Sequence, residues 1–330
     1  MIDWAEAKKL IGKHSRFLIT THINPDGDAI GTELAMASVL RSIGKEARIV
    51  NDQPTPRRYE FLDPQNEGIS HLPDVTRNLL DWCDAVVVVD TGVWMRLGPV
   101  GELIRESKRP LLCIDHHPSN DGIGSVNIID VNTSSVGEMV YLLAKELGVK
   151  VDQKTADALF VAIATDTGWF RFPNTTACVF EFCAELKNLG ADPSRLYSQM
   201  YESFRWERMS LLSLALSTLS SECGGKIALI KITRDMFKQS GADEQDVEGF
   251  VDLVRCTKGV EVVLLFREGT DGQTKVSLRS KGNADVRVIA THFGGGGHPK
   301  ASGIRFACSL EKAIGDVVAV ASKHLRDLGI

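Results

Sequence analysis

Three short runs of uninterrupted aliphatics punctuate the chain: Phe17-Leu18-Ile19, Ala85-Val86-Val87-Val88-Val89 and Leu111-Leu112-Cys113-Ile114. They lack polar alternation and are too short for helices, the pattern of strands in a parallel sheet covered on both faces. Helical periodicity from Ala29 to Ile43 closes at Gly44, and Glu46 to Val50 returns as a strand. Residues 52–68, rich in Pro, Asp, Gln and Asn, read as a loop. Val126 to Ile129 adds a strand. Ser135 to Leu147, Gln153 to Ala164 (capped by Asp152) and Thr176 to Leu189 read as helices, the first and last closed by Gly148 and Gly190. The expected N-terminal domain, residues 1–190, is therefore α/β with a mainly parallel sheet.

A chain of 330 residues exceeds a typical single core, so two domains are expected. Asp192-Pro193 starts a helix, and helical pattern from Tyr197 to Glu222 ends at Gly224-Gly225, making 191–224 a helical connector. Beyond it, Ile227 to Ile232, Val260 to Phe266, Lys275 to Arg279 and Gly303 to Phe306 read as strands. Val247 to Val254, Val286 to Phe293 and Leu310 to Leu328 read as helices. Residues 225–330 are expected to be a smaller α/β domain with a mixed sheet.

The residues at the end of each aliphatic run shift the picture from fold to chemistry. The first run leads through Thr20-Thr21 into His22-Ile23-Asn24-Pro25-Asp26-Gly27-Asp28, the second into Asp90, the third into Asp115-His116-His117. Parallel strands end on one edge, where open α/β sheets build their sites, so these residues should converge. Asp166, in Thr165-Asp166-Thr167-Gly168, adds an acid at a helix end. Mixed imidazole and carboxylate without thiolate favours a hard or borderline cation, Mn²⁺ or Mg²⁺ before structural Zn²⁺. A lone Asp after a strand more often caps the next helix, and Asp28 is the best placed for that role. Coincidence at three strand ends and a helix end together is the weaker explanation.

Composition narrows the partners. With 43% apolar and 25% charged residues the chain is an ordinary globular protein, and a net charge of −5 offers no broad basic surface for long nucleic acid. Seven scattered cysteines without a CxxC pair read as buried small hydrophobes in a reducing compartment. The N-terminus lacks the apolar core of a signal peptide and no run approaches membrane-spanning length, so a cytoplasmic location and no membrane partner are expected.

The four segments His22 to Gly31, Val89-Asp90-Thr91-Gly92, Asp115-His116-His117 and Thr165 to Gly168 resemble, in order and spacing, the four motifs of the DHH phosphoesterases. That superfamily includes RecJ exonucleases, family II pyrophosphatases, cyclic-dinucleotide phosphodiesterases and nano-RNases. Asn24, where RecJ-like members often carry an acid, leans toward the nano-RNases. The resemblance implies two divalent ions, Mn²⁺ first and Mg²⁺ as the alternative. One would be held by His22, Asp26 and Asp90, the other by Asp28, Asp90, His116 and Asp166, with Asp90 bridging. It further implies His117 as a donor or general acid facing substrate and Asp115 as the group orienting a histidine. No serine or cysteine nucleophile is required by such chemistry, and none sits in an activated motif.

Near the other end, Gly294-Gly295-Gly296-Gly297-His298-Pro299-Lys300 reads by itself as a flexible loop more readily than as an anion cradle. With Val276-Ser277-Leu278-Arg279-Ser280, the GGGGH-x-x-ASG pattern resembles the DHH-associated C-terminal domain over residues 225–330. The resemblance implies that Arg279 and His298 bind substrate, with Gly295, Gly296, Gly297 and Ser277 contributing. Arg171 reads equally as a cleft residue or a surface arginine; Trp169 and Phe170 could stack a base, although core packing is the better account of at least one. Three functions are then open. The first is cleavage of very short oligonucleotides to mononucleotides, with removal of the 3′-phosphate of phosphoadenosine phosphate. The second is a phosphodiesterase for cyclic or linear dinucleotides such as cyclic di-AMP or pApA. The third, ranked low because every ligand position is filled, is a nucleotide-binding module without catalysis. Expected partners are short oligonucleotides or mononucleotide-type phosphoesters, with a homodimer allowed.

Overall fold

A computed structural model of the protein describes residues 2–70, 73–269 and 272–330, without the side chains of Ile69, Ser70, Pro73 and Asp74. The chain divides at Ser203/Phe204 into two compact units.

The first unit contains strands β1 (Arg16–Thr20), β2 (Glu46–Asn51), β3 (Gly68–Ser70), β4 (Ala85–Val89), β5 (Leu111–Asp115) and β6 (Val126–Ile129). Its helices are α1 (Ala5–Lys13), α2 (Gly27–Ser42), α3 (Pro73–Trp82), α4 (Gly98–Ser107), α5 (Val136–Glu146), α6 (Gln153–Asp166), α7 (Ala177–Asn188) and α8 (Pro193–Tyr201). The six strands form one wholly parallel sheet in the order β3-β2-β1-β4-β5-β6, with its topological switch between β1 and β4. The apolar runs explain the layers. Phe17, Ile19, Val87, Val89 and Ile114 face a core shared with α1, α2, α5, α6, α7 and α8, whereas Leu18, Val86, Val88 and Cys113 face one shared with α3 and α4. A strand with two dry faces needs no alternation.

The second unit contains α9 (Trp206–Leu216), β7 (Ser220–Glu222), β8 (Ile227–Ile232), α10 (Arg234–Ser240), α11 (Phe250–Arg255), β9 (Val262–Glu268) and β10 (Thr274–Ser280). It continues with α12 (Val286–His292), β11 (Gly296–His298), β12 (Ala301–Phe306) and α13 (Leu310–Asp327). The order β11-β12-β10-β9-β8-β7 is mixed, β8 and β9 being the parallel pair. One face is covered by α12 and α13. The other is covered by α9 and α11 over β8 and β9.

Several sequence expectations need correction. Residues 52–68 are not all loop: Arg57–Leu62 forms a 3₁₀ turn that buries Tyr59, and Gly68 begins β3. The helical run from Tyr197 to Glu222 breaks after Tyr201, because Tyr197 and Tyr201 pack on Trp169 in the first unit while Leu211 and Ala215 enter the core of the second. Ser220–Glu222 is an edge strand on β8. The helix expected from Val247 is a 3₁₀ turn over Glu244–Val247 followed by α11, separated by Gly249 in the left-handed region. The glycine tract is no free loop, since Gly296–His298 pairs with Ala301–Gly303. A Cβ on Gly295 would lie 2.3 Å from the Gly303 carbonyl oxygen, so close backbone approach explains a glycine there.

Candidate metal centre

Strand register brings the predicted residues together. Thr20 of β1 lies opposite Val88 of β4, and Val89 opposite Ile114 of β5. Continuing each strand past its end places His22 beside Asp90, and Asp90 beside the Asp115-His116-His117 run. His22 Nε2 is 3.2 Å from Asp90 Oδ2, His116 Nε2 is 3.7 Å from Asp90 Oδ1, and His116 Nε2 is 3.5 Å from Asp166 Oδ2. Potential ligand atoms group as His22, Asp26 and Asp90; Asp28, His116 and Asp166; and Asp90, His116 and His117, each set within 4.8 Å.

Close helix packing delivers the remaining acids. A Cβ on Gly27 would fall 2.5 Å from the Thr165 side chain, and one on Gly31 would fall 2.3 Å from the Ala158 carbonyl oxygen. These two glycines, one helical turn apart, let α2 press on α6 and bring Asp26 and Asp28 to Asp166. Asp26, not Asp28, is the N-cap of α2: its Oδ1 accepts from the backbone N–H groups of Asp28 and Ala29, both at 3.1 Å. Asp28 lies in the first turn, pointing inward to accept N–H groups of Val136 and Gly137 at 2.7 and 2.9 Å and the Thr32 hydroxyl at 2.9 Å. The carboxylate thus rests on the N-terminus of α5, where donors and dipole favour an anion.

The electrostatics call for a cation. Burial, followed by repulsion from Asp28 and Asp26, pushes the Asp90 carboxyl well above the carboxylate range. Burial and the charge of Asp28 lift Asp166 to about 8, and burial raises Asp28 as well. For His116 burial favours the neutral form, yet Asp28, Asp166 and Asp90 outweigh it and raise the imidazole to about 9. His22 behaves oppositely, and burial lowers it. His22 Nδ1 is 2.9 Å from the carbonyl oxygen of Ile23, which can only accept, so Nδ1 carries the proton. The lone pair of neutral His22 Nε2 then confronts the Asp90 carboxylate. His116 is oriented likewise, Nδ1 toward the Thr133 carbonyl at 3.3 Å and Nε2 toward two carboxylates. Asp90 Oδ1 is buried with no hydrogen-bond partner among the described residues. Imidazoles held through Nδ1 with Nε2 facing acids, and a carboxylate oxygen without a partner, fit a divalent ion that would take the place of the proton on His116.

Asp115 is fully buried. Although burial opposes ionisation, hydrogen bonds from His117 help hold its carboxyl below the usual range. Oδ1 accepts from His117 Nδ1 at 2.8 Å, so the acid orients the second histidine of the pair. Sequence reasoning missed Asn120, whose Nδ2 donates to Asp115 Oδ2 at 2.9 Å. A Cβ on Gly92 would overlap this amide at 1.6 Å, which ties the glycine after Asp90 to the placement of His117. It also missed Asn174, which donates from Nδ2 to the carbonyls of Ser134 and Asp166. Neither asparagine belongs to a ligand-type cluster, so residue type alone gave no signal.

Trp169 and Phe170 pack in the first unit's core against Phe160, with Tyr197, Tyr201 and Phe180 around them. Arg171 is exposed, and its Nε donates to the Gly168 carbonyl at 2.6 Å. In the second unit Arg279 pairs with Ala301 and Ala301 with His298, so the three side chains share one row and one face. Ser277 stands in the next row with Gly303 and Gly296. Arg279 Nε lies 3.8 Å from Asp252 Oδ1, and burial lowers the guanidinium's pKa. All seven cysteines are free. Burial raises the Cys113 thiol to about 12 and that of Cys83 to about 11, unsuited to nucleophilic work.

A cluster of imidazoles and carboxylates at the switch point of a parallel sheet is the donor set of a metal-dependent hydrolase, and comparison with known proteins gives its class as a phosphoesterase. Residues 16–163 match the DHH family, N-terminal domain, and residues 215–326 the DHHA1 domain. The bifunctional oligoribonuclease and PAP phosphatase NrnA of Thermus thermophilus is 35% identical over 292 residues, covering 86% of this chain and 82% of that protein. Its namesake from Bacillus subtilis is 30% identical over 302 residues, covering 90% and 91%. The crystal structure of an exopolyphosphatase-related protein from Bacteroides fragilis superposes with a TM-score of 0.94 at 25% identity, covering 99% of this chain and 98% of that one. The chain belongs to the DHH family.

Proposed function

We infer that the protein uses two divalent ions, Mn²⁺ by preference, to hydrolyse very short oligonucleotides to mononucleotides and to remove the 3′-phosphate of phosphoadenosine phosphate. The observation that carries this reading is that the Nε2 atoms of His22 and His116 both face Asp90, whose Oδ1 is buried without a hydrogen-bond partner among the described residues. The NrnA relatives, matched across both units, are named for these two activities. His22, Asp26 and Asp90 would hold one ion and Asp28, Asp90, His116 and Asp166 the other, so that Asp90 serves both. When bound, such ions supply an activated water and neutralise charge on the phosphoryl group. Carboxylate and imidazole donors without thiolate suit Mn²⁺.

The chain's own groups do the rest. Asp115 fixes His117 through Nδ1, which leaves Nε2 to hydrogen-bond the substrate and deliver a proton to the leaving oxygen. Asn120 keeps Asp115 from turning away. In the second unit Arg279, Ser277 and His298 offer donors above a floor of Ala301 and Gly303, small enough for a phosphate to lie close to the strand. Few phosphate contacts suffice for a short substrate, in keeping with a net charge of −5. The test is a competition among a dinucleotide, phosphoadenosine phosphate and cyclic di-AMP, ranked by kcat/KM with and without Mn²⁺. Metal-dependent turnover led by the first two is expected. Preference for cyclic di-AMP would overturn the substrate assignment, and no turnover of any would overturn the enzyme.

A further inference from the structure

A chain of buried hydrogen bonds crosses the strand ends beneath the cluster. Both carboxyl oxygens of Glu33, on α2, lie within hydrogen-bond distance of Asn51 Nδ2 at the end of β2, at 2.8 and 2.9 Å. Asn51 Oδ1 accepts the backbone N–H of Thr21 at 3.3 Å, and the Thr21 hydroxyl donates to the Val89 carbonyl at 2.9 Å. Thr21 precedes His22 and Val89 precedes Asp90. Glu33, Asn51 and Thr21 are each at most 2% exposed.

We propose that Glu33, Asn51 and Thr21 form a positioning relay that sets the separation of His22 and Asp90. The proposal rests on the reading of those two residues as ligands of one ion. The backbone ladder of β1 ends at Ile19 opposite Ile49 on one side and at Thr20 opposite Val88 on the other. Past those rungs the next main-chain tie is the Ile23 N–H to the Arg96 carbonyl at 2.7 Å, and between them the relay supplies the ties to the flanking strands: a carboxamide on the β2 side, a hydroxyl on the β4 side. A buried carboxyl is a costly way to fill a core. Glu33 is accounted for by Asn51, whose amide donor would otherwise be buried unpaired, at a cost greater than a hydrogen bond normally contributes. Burial keeps the Glu33 carboxyl protonated up to about 8, against the Asn51 hydrogen bond and with Asp63 adding to the shift. A neutral amide of the same shape should therefore replace it.

The relay is testable without activity and without metal. In metal-free protein carrying labelled histidine, Thr21→Val removes the hydroxyl and keeps the shape. It should move the His22 ring resonances and leave those of His117, held independently by Asp115, in place. Asn51→Ala should do the same, whereas Thr21→Ser and Glu33→Gln should return His22 to its wild-type position. In Mn²⁺ titrations Thr21→Val should weaken one ion by about 10- to 100-fold, the usual effect of losing an outer hydrogen bond, with the other little changed. His22 resonances unmoved by Thr21→Val, or His22 and His117 moving together, would overturn the relay. Wild-type protein that binds no Mn²⁺ would remove the ligand reading instead, and the ring resonances would still decide the relay.

Discussion

The two units place their polar groups in opposite ways. In the first, Asp28, Asp90, His22 and Asp115 are buried, and each is fixed by backbone, register or a neighbouring side chain. In the second, Arg279, beside Asp252 of α11, and Ser277 are partly exposed and His298 is exposed. Burying like charges together is unfavourable until a cation joins them, so the first arrangement is suited to holding ions permanently. Donors that keep part of their surface in water, over a floor of small residues, suit a ligand that must leave. The difference teaches that the metal centre and the proposed phosphate grip should fail separately and in different observables.

The largest effect should come from Asp90→Ala, which removes the acid common to two ligand groups: turnover falls below detection, and metal analysis shows loss of bound Mn²⁺. Retained activity with full metal content would break the contrast at its centre. His117→Ala should keep both ions while kcat falls by about 10²- to 10⁴-fold, the range of a lost general acid. Metal loss in that variant would make His117 a ligand. Arg279→Ala should raise KM for a dinucleotide by about tenfold, as expected for a lost charge-assisted hydrogen bond, with metal content unchanged. An unchanged KM and kcat would remove Arg279 from the grip.

The smallest effect concerns the metal-free protein. In the folded chain Asp166 keeps its proton to about 8 and His116 to about 9, above their ordinary values of 3.8 and 6.5. The folded state therefore binds more protons than the unfolded one in this window, and stability must fall as pH rises through it. With chelator present, the melting temperature should drop by a few degrees from about pH 6 to about pH 9, and saturating Mn²⁺ should flatten the decline. A metal-free protein that gains stability over this range would show that the carboxylates are not crowded as described.

Much of the first unit was legible because its strands carry unbroken aliphatics and end in rare residue types. His22, Asp90 and the Asp115-His116-His117 run declared both the sheet edge and the chemistry. The roles of Asp26 and Asp28 were not legible, because capping depends on which carboxylate turns toward free N–H groups, and residue type cannot tell two aspartates apart. Asn120 and Asn174 were invisible for a related reason: an amide that orients an acid gains its meaning only from what the fold sets beside it. The break after Tyr201 was hidden because the helical pattern continues on both sides while the apolar residues enter different cores. Glycines 294–297 suggested flexibility, whereas Gly294 and Gly295 bond back to α12 and Gly296 and Gly297 pair with β12.

Asp90 has φ of +61°, at the point where β4 turns out of the sheet. Among residues with a Cβ, Asn and Asp are the ones that enter this region most readily. Position 90 is thus restricted twice, once by backbone shape and once by charge, and aspartate alone satisfies both. Glutamate would bring the charge on a backbone it resists, and asparagine would accept the backbone without the charge. Each replacement therefore meets one restriction and fails the other, so losing either the charge or the backbone fit should be enough to disturb the centre.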